Sequence, residues 1–463
     1  MRSQESGSQA ITRRAALGAV ASGMLIAGAT HLSAESTRLQ EADDPQRIVR
    51  NTLTVKTTGS VFTSATKDKS QKHQLAATAQ FVFQERRLPS GGRDALAFRA
   101  AREFESASLN TSVSGRETQS VLPTANRLIV ANGTGAGVWS YCPTSLLTRE
   151  TMDLLELPSD PLALQAILPA EALDVGGKWA APGWSAQMLG TVEAVQKAEI
   201  NGEVVSRAAG QAILKIEGRI LGQRYGSNTD VRIAGQITFD ESARLISAAV
   251  LTYTVKANIG TVSPGIDAQV EATLIRQVEK SSATLTDKWV ESIPISPPES
   301  VSMLALDALP WKIQLLHDRS WHLFQSVFEG PAQVVILRLM ENGGLICQCN
   351  VAQIPAAPPG QHAPIEQFEA DIERSLGKRF KAIQTRNKLP TDDGRLVYRV
   401  VVDGQNTLVS DKGSVEVPME WHYFLCAAPS GRQLSFVFAI EPKLAEQLGD
   451  RDVEMVRSVR FLR

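Results

Sequence analysis

Long segments in the first two thirds of the chain alternate apolar and polar residues with a period of two. These segments are residues 53–62, 74–84, 212–221, 229–239, 245–257 and 267–277. Because successive side chains of a strand point to opposite faces, such a pattern buries one face of a sheet and leaves the other in solvent, which is typical of antiparallel sheets. The sequence therefore predicts an antiparallel β-rich domain at residues 45–291 and an α+β fold class for the whole chain.

One pattern within this region occurs twice. The spacing Lys-x-x-Gly-x-Val at residues 56–61 returns as Lys-x-x-Gly-x-Ile at residues 215–220. Two explanations remain open, a duplicated meander and a chance similarity.

Two short helices are predicted between the two occurrences. Thr148 is a suitable N-cap for the first helix, and Asp160 with Pro161 is a suitable start for the second. We expect these helices to cover the apolar face of the sheet. The arrangement resembles the half-barrel of LolA-like periplasmic carriers, in architecture only, and that resemblance implies an apolar, lipid-like ligand.

The N-terminal segment has the pattern of an export signal. Arg13 and Arg14 are followed by an uncharged, Ala- and Gly-rich run at residues 15–29. The segment is similar to a twin-arginine signal peptide, which implies export to the periplasm or the extracellular space. Small residues allow cleavage after Ala29 or after Ala34, so residues 1–34 are predicted to be the signal.

Composition excludes some classes of function. Hydrophobic residues make up 43% and charged residues 21% of the chain, which are ordinary globular values, and the formal net charge is -1. A near-neutral chain gives no reason to expect nucleic-acid binding. Beyond the signal, no apolar run reaches the length of a membrane span.

The last third of the chain has the pattern of a separate module. Residues 292–309 contain three prolines in a short stretch and are predicted to be a linker, with a domain at 310–463 behind them. In that domain, strands precede and follow one amphipathic helix that contains Ile365, Phe368, Ile372 and Leu376. The order of elements resembles a PsbP-like α/β/α sandwich. That resemblance implies an accessory or assembly factor that binds proteins, and we expect the module to fold alone.

The four cysteines leave three interpretations open. Cys142 stands alone, whereas Cys347, Cys349 and Cys426 occur in the last third. They are predicted to be buried thiols, or to include a disulfide for which Cys349 and Cys426 are the candidates. A metal site that adds His422 is the third alternative, but zinc-ribbon spacing is missing.

No catalytic or cofactor-binding motif is present. The sequence lacks a Gly-x-Ser-x-Gly elbow, a phosphate loop and a His-Glu-x-x-His helix. His317 and His322 are interpreted as packing or surface residues. We therefore predict a non-enzymatic protein with no catalytic residue, cofactor or metal, and a hydrolase whose residues meet only in space is the less favoured alternative.

One basic segment follows the amphipathic helix. It consists of Lys378, Arg379, Lys381, Arg386 and Lys388. Two interpretations are open, a solvated edge and a docking surface for an acidic partner. The sequence thus predicts an exported, soluble binding protein, which acts as an interaction or assembly factor or, alternatively, as a carrier of an apolar ligand.

Overall fold

The computed structural model describes residues 38–66, 69–410 and 413–462. The export signal predicted at Arg13 and Arg14, with both cleavage sites, lies outside these residues. The described chain has an α+β fold dominated by antiparallel strands, which confirms the fold class expected from the alternation.

A twelve-stranded sheet forms the first part of the fold. Its order is β6-β5-β3-β2-β1-β13-β12-β11-β10-β9-β8, and β4 pairs with β3, whereas β7 belongs to another sheet. The strands are β1 (Ile48–Thr66), β2 (Lys69–Arg87), β3 (Arg99–Val113), β4 (Arg116–Val121), β5 (Leu128–Thr134), β6 (Gly137–Tyr141), β7 (Leu147–Thr148), β8 (Lys178–Ala180), β9 (Ala194–Ala208), β10 (Gln211–Arg224), β11 (Ser227–Asp240), β12 (Leu245–Ala257) and β13 (Gly265–Glu279).

The register of this sheet explains the alternation. Leu53 on β1 pairs with Phe81 on β2 and with Leu274 on β13, and all three side chains are buried on one face. The repeated pattern falls on β1 and on β10, where Gly59 and Gly218 each let a neighbouring backbone carbonyl approach closely. Whether the two segments are copies of one meander stays a prediction.

Three short helices pack on the buried face of the sheet. They are α1 (Arg149–Leu154), α2 (Pro161–Ala166) and α3 (Ser185–Gly190). As predicted, the side chain of Thr148 accepts a hydrogen bond at the start of α1, and Asp160 does so at the start of α2. Leu162 and Leu164 have no exposed surface, so the helices themselves fill this face. The lipid-like ligand expected there stays a prediction.

Trp179 fixes the loop that leads from α2 to α3. Its indole Nε1 donates to the carbonyl oxygen of Ile167 at 2.8 Å. A Cβ atom on Gly202 would lie 2.1 Å from the indole ring, so only glycine permits this packing. Trp179 therefore anchors this loop onto the core.

The rest of the chain supplies ten strands and four helices. They are α4 (Asp287–Glu291), β14 (Leu304–Ala308), β15 (Ile313–His317), β16 (Trp321–Val327), β17 (Val334–Glu341), β18 (Gly344–Ile354), α5 (Ile365–Leu376), β19 (Phe380–Leu389), β20 (Leu396–Ser410), β21 (Gly413–Ala427), β22 (Gln433–Ile440), α6 (Ala445–Leu448), α7 (Arg451–Arg457) and β23 (Arg460–Phe461).

A seven-stranded sheet, β16-β17-β18-β22-β21-β20-β19, is the middle of three layers. Helix α5 buries Phe368, Ile372 and Leu376 against one face, as its spacing predicts. Met455 and Val456 of α7 pack on the opposite face. None of the described helices is both long and apolar enough to cross a membrane.

A smaller four-stranded sheet joins the two parts of the chain. Its order is β23-β15-β14-β7, and β14 runs parallel to β7. Strand β14 lies inside the predicted linker, 292–309, and Arg99 on β3 donates to the carbonyl oxygen of Pro294 in the same segment. Beyond residue 37 the chain groups as one compact unit. The division into domains at 45–291 and 310–463 stays a prediction.

The cysteines require a correction. All four are buried free thiols, so the candidate bridge between Cys349 and Cys426 is not formed. Cys349 aligns with Phe438 on β22, which aligns with His422 on β21, whereas Cys426 lies four residues further along that strand. Two strand spacings of about 4.8 Å and four residue steps of about 3.3 Å separate their Cα atoms by roughly 16 Å, far beyond disulfide reach.

Candidate functional site

The predicted basic segment forms one edge of the seven-stranded sheet. Strand β19 pairs with β20 and with no other described strand. It carries Lys381, Arg386 and Lys388, whereas Lys378 and Arg379 lie directly before it, and all five are exposed. Among the described residues, Lys378, Lys381 and Lys388 have no ion-pair partner. The structure therefore places these cations along an open strand edge.

Two of the five basic residues have structural partners that the sequence did not reveal. Arg386 Nε donates to Glu369 Oε2 on α5 at 2.8 Å. Arg379 donates to the carbonyl oxygens of Ser375 and Leu376 at the end of α5 and lies over the Trp421 ring. Arg386 and Arg379 thus tie β19 to α5, and the three lysines remain as the solvent-facing charges.

A cleft opens where the two parts of the chain meet, and we call it the junction cleft. Its volume is about 400 Å³. One wall comes from β6, α1 and the turn after β10, and the other from the start of β16 and the β17–β18 turn. Among its lining residues are Trp139, Arg149, Tyr225, Arg319 and His322.

Arg319 is the central cation of the junction cleft. It lies in the tight turn between β15 and β16, where Asp318 Oδ1 accepts from the Ser320 amide at 2.7 Å. Its guanidinium lies 4.2 Å from the centre of the Trp139 ring. Arg319 Nε donates to the Ser302 carbonyl oxygen at 3.2 Å, but neither terminal nitrogen has an acceptor among the described residues, and Nη2 is buried.

No carboxylate compensates this guanidinium. Burial, followed by the positive charge of Arg149, lowers the pKa of Arg319 to about 9. The same two causes lower the pKa of His322 to about 3, so this histidine is neutral at physiological pH. The centre of the junction cleft is therefore a place where positive charge is desolvated and unbalanced.

Arg149 holds the two walls together. Its Nη2 donates to the carbonyl oxygens of Arg319 and Trp321, the latter at 2.8 Å. Its Nη1 lies 3.9 Å from Asp153, and its buried Nε has no acceptor. Arg149 thus fixes the backbone on which Arg319 is mounted.

The acidic residues near the junction cleft are engaged elsewhere or shifted toward the neutral form. Glu156 pairs with Arg224, and Glu341 pairs with Arg451 at 2.6 Å. Burial raises the pKa of Glu193, and it raises the pKa of Asp153 to about 6. None of them approaches the terminal nitrogens of Arg319.

A second group of buried charges lies in the core of the β-rich part. Arg102 donates to both oxygens of Asp160 at 2.7 Å and to Glu85 at 2.9 Å, and Arg276 donates to the other oxygen of Glu85. The side chains of Arg102, Glu85 and Asp160 are at most 2% exposed. This network ties the N-cap of α2 to strands β2, β3 and β13, which is a structural role.

A third polar group joins β21 to α7. His422 contacts Asp452 through Nδ1 at 2.6 Å and Glu420 through Nε2 at 2.5 Å, and Arg399 donates to Asp452 at 2.8 Å. In the part of the chain that the structure describes, no group of three or more His, Cys, Asp or Glu side chains could hold a metal ion. The metal alternative built on His422 and the three nearby cysteines is therefore not assembled.

Sequence reasoning found the basic edge but not the junction cleft. His322 was interpreted as a packing or surface residue, and Arg149 and Arg319 were not singled out. Trp139, Arg149 and Arg319 belong to segments far apart in the chain, and nothing in the local pattern of any of them indicates the others.

The comparisons with known proteins do not assign a family. No family model matches the chain, and no curated protein matches its sequence. A structure that describes lipid–protein interactions in lipovitellin aligns with this chain at 6% sequence identity and a TM-score of 0.30. The alignment covers 52% of this chain and 26% of the lipovitellin chain. This chain thus spans only about a quarter of that protein.

Two further structures align over more of the chain but less closely. MucB in complex with MucA(peri) covers 90% of this chain and 94% of its own at 10% identity, with a TM-score of 0.15. OccK1 (OpdK) from Pseudomonas aeruginosa covers 85% and 97% at 10% identity, with a TM-score of 0.10. At such scores these likenesses carry no argument about function.

Proposed function

We propose that this chain is an exported, non-enzymatic binding protein that acts as an interaction or assembly factor by docking an acidic segment of a partner protein along β19. The observation that carries the proposal is the open edge of β19, where Lys381 and Lys388, with Lys378 just before the strand, have no ion-pair partner among the described residues.

An edge strand can recruit an extended segment because its outer N–H and C=O groups lack a neighbour. The three lysines add selection by charge, since an acidic strand gains favourable interactions and a basic strand is repelled. The PsbP-like resemblance of this module points the same way, because it implies a protein-binding accessory factor.

The competing interpretation is that the lysines only keep the edge solvated and prevent sheet-to-sheet association. The test is to place a photo-crosslinking amino acid at Asn387 on β19, in cells that express the protein. We expect a crosslink to an acidic, extended segment of one partner. The crosslink should be lost in the variant Lys378→Gln, Lys381→Gln, Lys388→Gln.

A matched control changes the same net charge elsewhere. Lys72, Lys280 and Lys288 are also exposed but lie in the β-rich part. Their triple change to Gln should leave the crosslink intact. If both triple variants behave alike, or if the crosslinked segment is not acidic, the edge is a solvated surface only.

Export is a separate part of the proposal. If the twin-arginine interpretation holds, replacing Arg13 and Arg14 by Lys should retain the precursor in the cytoplasm, because the translocation machinery distinguishes the guanidinium pair from lysines. Cell fractionation with immunoblotting measures this. A doubly substituted chain that is exported as efficiently as the wild type would exclude that route.

A further inference from the structure

The junction cleft has the features of a ligand site that is independent of the β19 edge. Its floor carries the Arg319 guanidinium, which is stacked on Trp139 and finds no acceptor for either terminal nitrogen within the described part of the chain. A desolvated guanidinium without a counter-charge is unfavourable in the empty protein, because burial removes hydration that no protein acceptor replaces. An oxyanion in the cleft would supply both the missing acceptor and the missing charge.

The guanidinium also has the geometry for recognition. Its Nη1 is not buried and can donate to an oxygen of a carboxylate or phosphate, whereas Nη2 is buried and contributes only charge. Stacking on Trp139 and the bond from Nε to the Ser302 carbonyl oxygen hold the guanidinium in one orientation. A guanidinium fixed in advance loses little side-chain entropy when an anion binds.

The rest of the cleft is suited to an apolar body. Met152 and Leu155 line it from the β-rich part, and Met340 lines it from the opposite wall. His322 is held edge-on against Tyr225, at 5.1 Å between ring centres, and is neutral. A volume of about 400 Å³ lies at the small end of the range for small-molecule sites.

We propose that the junction cleft binds a small amphipathic oxyanion, with its carboxylate or phosphate on Nη1 of Arg319 and its compact apolar body between Met152 and Met340. Such a ligand contacts both parts of the chain, so it links the β-rich part to the three-layer module. The proposal rests on no part of the docking proposal for β19.

Calorimetric titration of the intact protein tests this with four probes. Benzoate and phenyl phosphate carry the two oxyanions on an aromatic body, benzyl alcohol lacks the charge, and inorganic phosphate lacks the body. We expect saturable one-to-one binding of benzoate or phenyl phosphate, and whichever binds more tightly identifies the oxyanion. Benzyl alcohol and inorganic phosphate should bind at least tenfold more weakly.

Two variants locate the site. Arg319→Met should weaken binding of the preferred probe at least tenfold, and Arg319→Lys should also weaken it because an ammonium lacks the planar guanidinium that stacks on Trp139. Arg374 is exposed on α5 and paired with Asp371, so Arg374→Met is the control that should bind normally.

Hydrogen–deuterium exchange on the wild-type protein locates the site without a variant, so its result does not depend on whether a variant folds. The probe should protect peptides that contain Trp139, Arg149 and Arg319.

Each other result overturns the proposal. Equal binding of inorganic phosphate and phenyl phosphate means an adventitious ion only. Equal binding of benzyl alcohol means that the charge is irrelevant. An absence of binding to all four probes at millimolar concentration, or protection confined to peptides outside the cleft, means that the junction cleft is not a site for this class of ligand.

Discussion

Two arginines, Arg102 fully buried and Arg319 partly buried, have opposite surroundings. In the core of the β-rich part, Arg102 contacts two carboxylates, Asp160 and Glu85, with short, well-directed hydrogen bonds. In the junction cleft, Arg319 has the ring of Trp139 and one backbone carbonyl, but no carboxylate. The protein itself supplies the counter-charges of Arg102. It supplies none for Arg319 among the described residues.

The difference separates two uses of buried charge. Removing one member of a fully hydrogen-bonded network leaves the remaining buried charges without a partner, which is strongly destabilising. Arg102 is therefore required for the stability of the fold. Removing an unpartnered charge relieves a penalty instead. A charged residue that lowers the stability of the folded protein indicates a binding role. A charged residue with a full set of partners carries no such indication.

The largest expected effect is in the core. Arg102→Met should lower the free energy of unfolding by about 3 to 5 kcal/mol, because Asp160 remains buried without a cation and Glu85 keeps only Arg276. Denaturant unfolding followed by circular dichroism measures the change, with the exposed Arg374→Met as control. A loss below about 1 kcal/mol would mean that water reaches the network and that the two arginines do not differ as described.

The second effect is a pH dependence next to the cleft. Burial lowers the pKa of His317 to about 4, with a further contribution from Arg149. Below about 6.5 the unfolded state takes up a proton that the folded state does not, so stability is complete above that pH and falls between about 6.5 and 4. The loss should approach about 3 kcal/mol.

Comparison with a variant isolates this histidine from the carboxylates that titrate in the same range. His317→Gln should flatten the dependence of unfolding free energy on pH between 6.5 and 4, and the exposed His362→Gln should not. The same dependence of unfolding free energy on pH in both variants and the wild type would contradict this prediction. It would mean that protonating His317 in the folded protein costs little and that the region beside Arg149 is well hydrated.

The third effect has the opposite sign from the first. Arg319→Met should raise the free energy of unfolding of the ligand-free protein by about 1 kcal/mol, since relief of desolvation exceeds the lost stacking and the single hydrogen bond from Nε. Thermal unfolding without any added anion is the measurement. A destabilised variant would place Arg319 with Arg102 among the structural residues.

The smallest effect concerns the lysines of β19. Replacing Lys378, Lys381 and Lys388 by Gln should change stability by no more than about 0.5 kcal/mol per site, because exposed charges are already hydrated. Chemical denaturation compares the triple variant with the control triple at Lys72, Lys280 and Lys288. A clearly larger loss would show that these lysines have a structural role like that of Arg379 and Arg386.

Local sequence chemistry predicted some elements well. Asn342-Gly343 forms the tight turn between β17 and β18, and both residues have positive φ, as a two-residue hairpin requires. An Asn-Gly pair also occurs at 132–133 and favours the same kind of turn, but the chain turns beyond Thr134, and both residues lie in β5 and pair with β6. There, a Cβ on Gly133 would meet the carbonyl oxygen of Ala95 at 2.2 Å, so this glycine permits close packing rather than a turn.

Features that depend on distant segments were not predictable in the same way. The periodicity of α5 was clear because its apolar positions recur within twelve residues. The distance between Cys349 and Cys426 depends on strand order and register, which alternation alone does not reveal. The surroundings of Arg319 depend on which segments meet it, so the sequence predicted the sheets and the capped helices but not the cleft.

The four-stranded sheet has a consequence for the order in which the molecule acquires its shape. Leu304 pairs with Leu147, and Gln314 pairs with Arg460, so each pairing joins residues about 150 positions apart. Pairings of such long sequence separation close large loops and form late, after local hairpins such as β17–β18. Arg319 follows β15 and Trp139 precedes β7, so their contact closes a loop of similar size and carries a similar entropic cost.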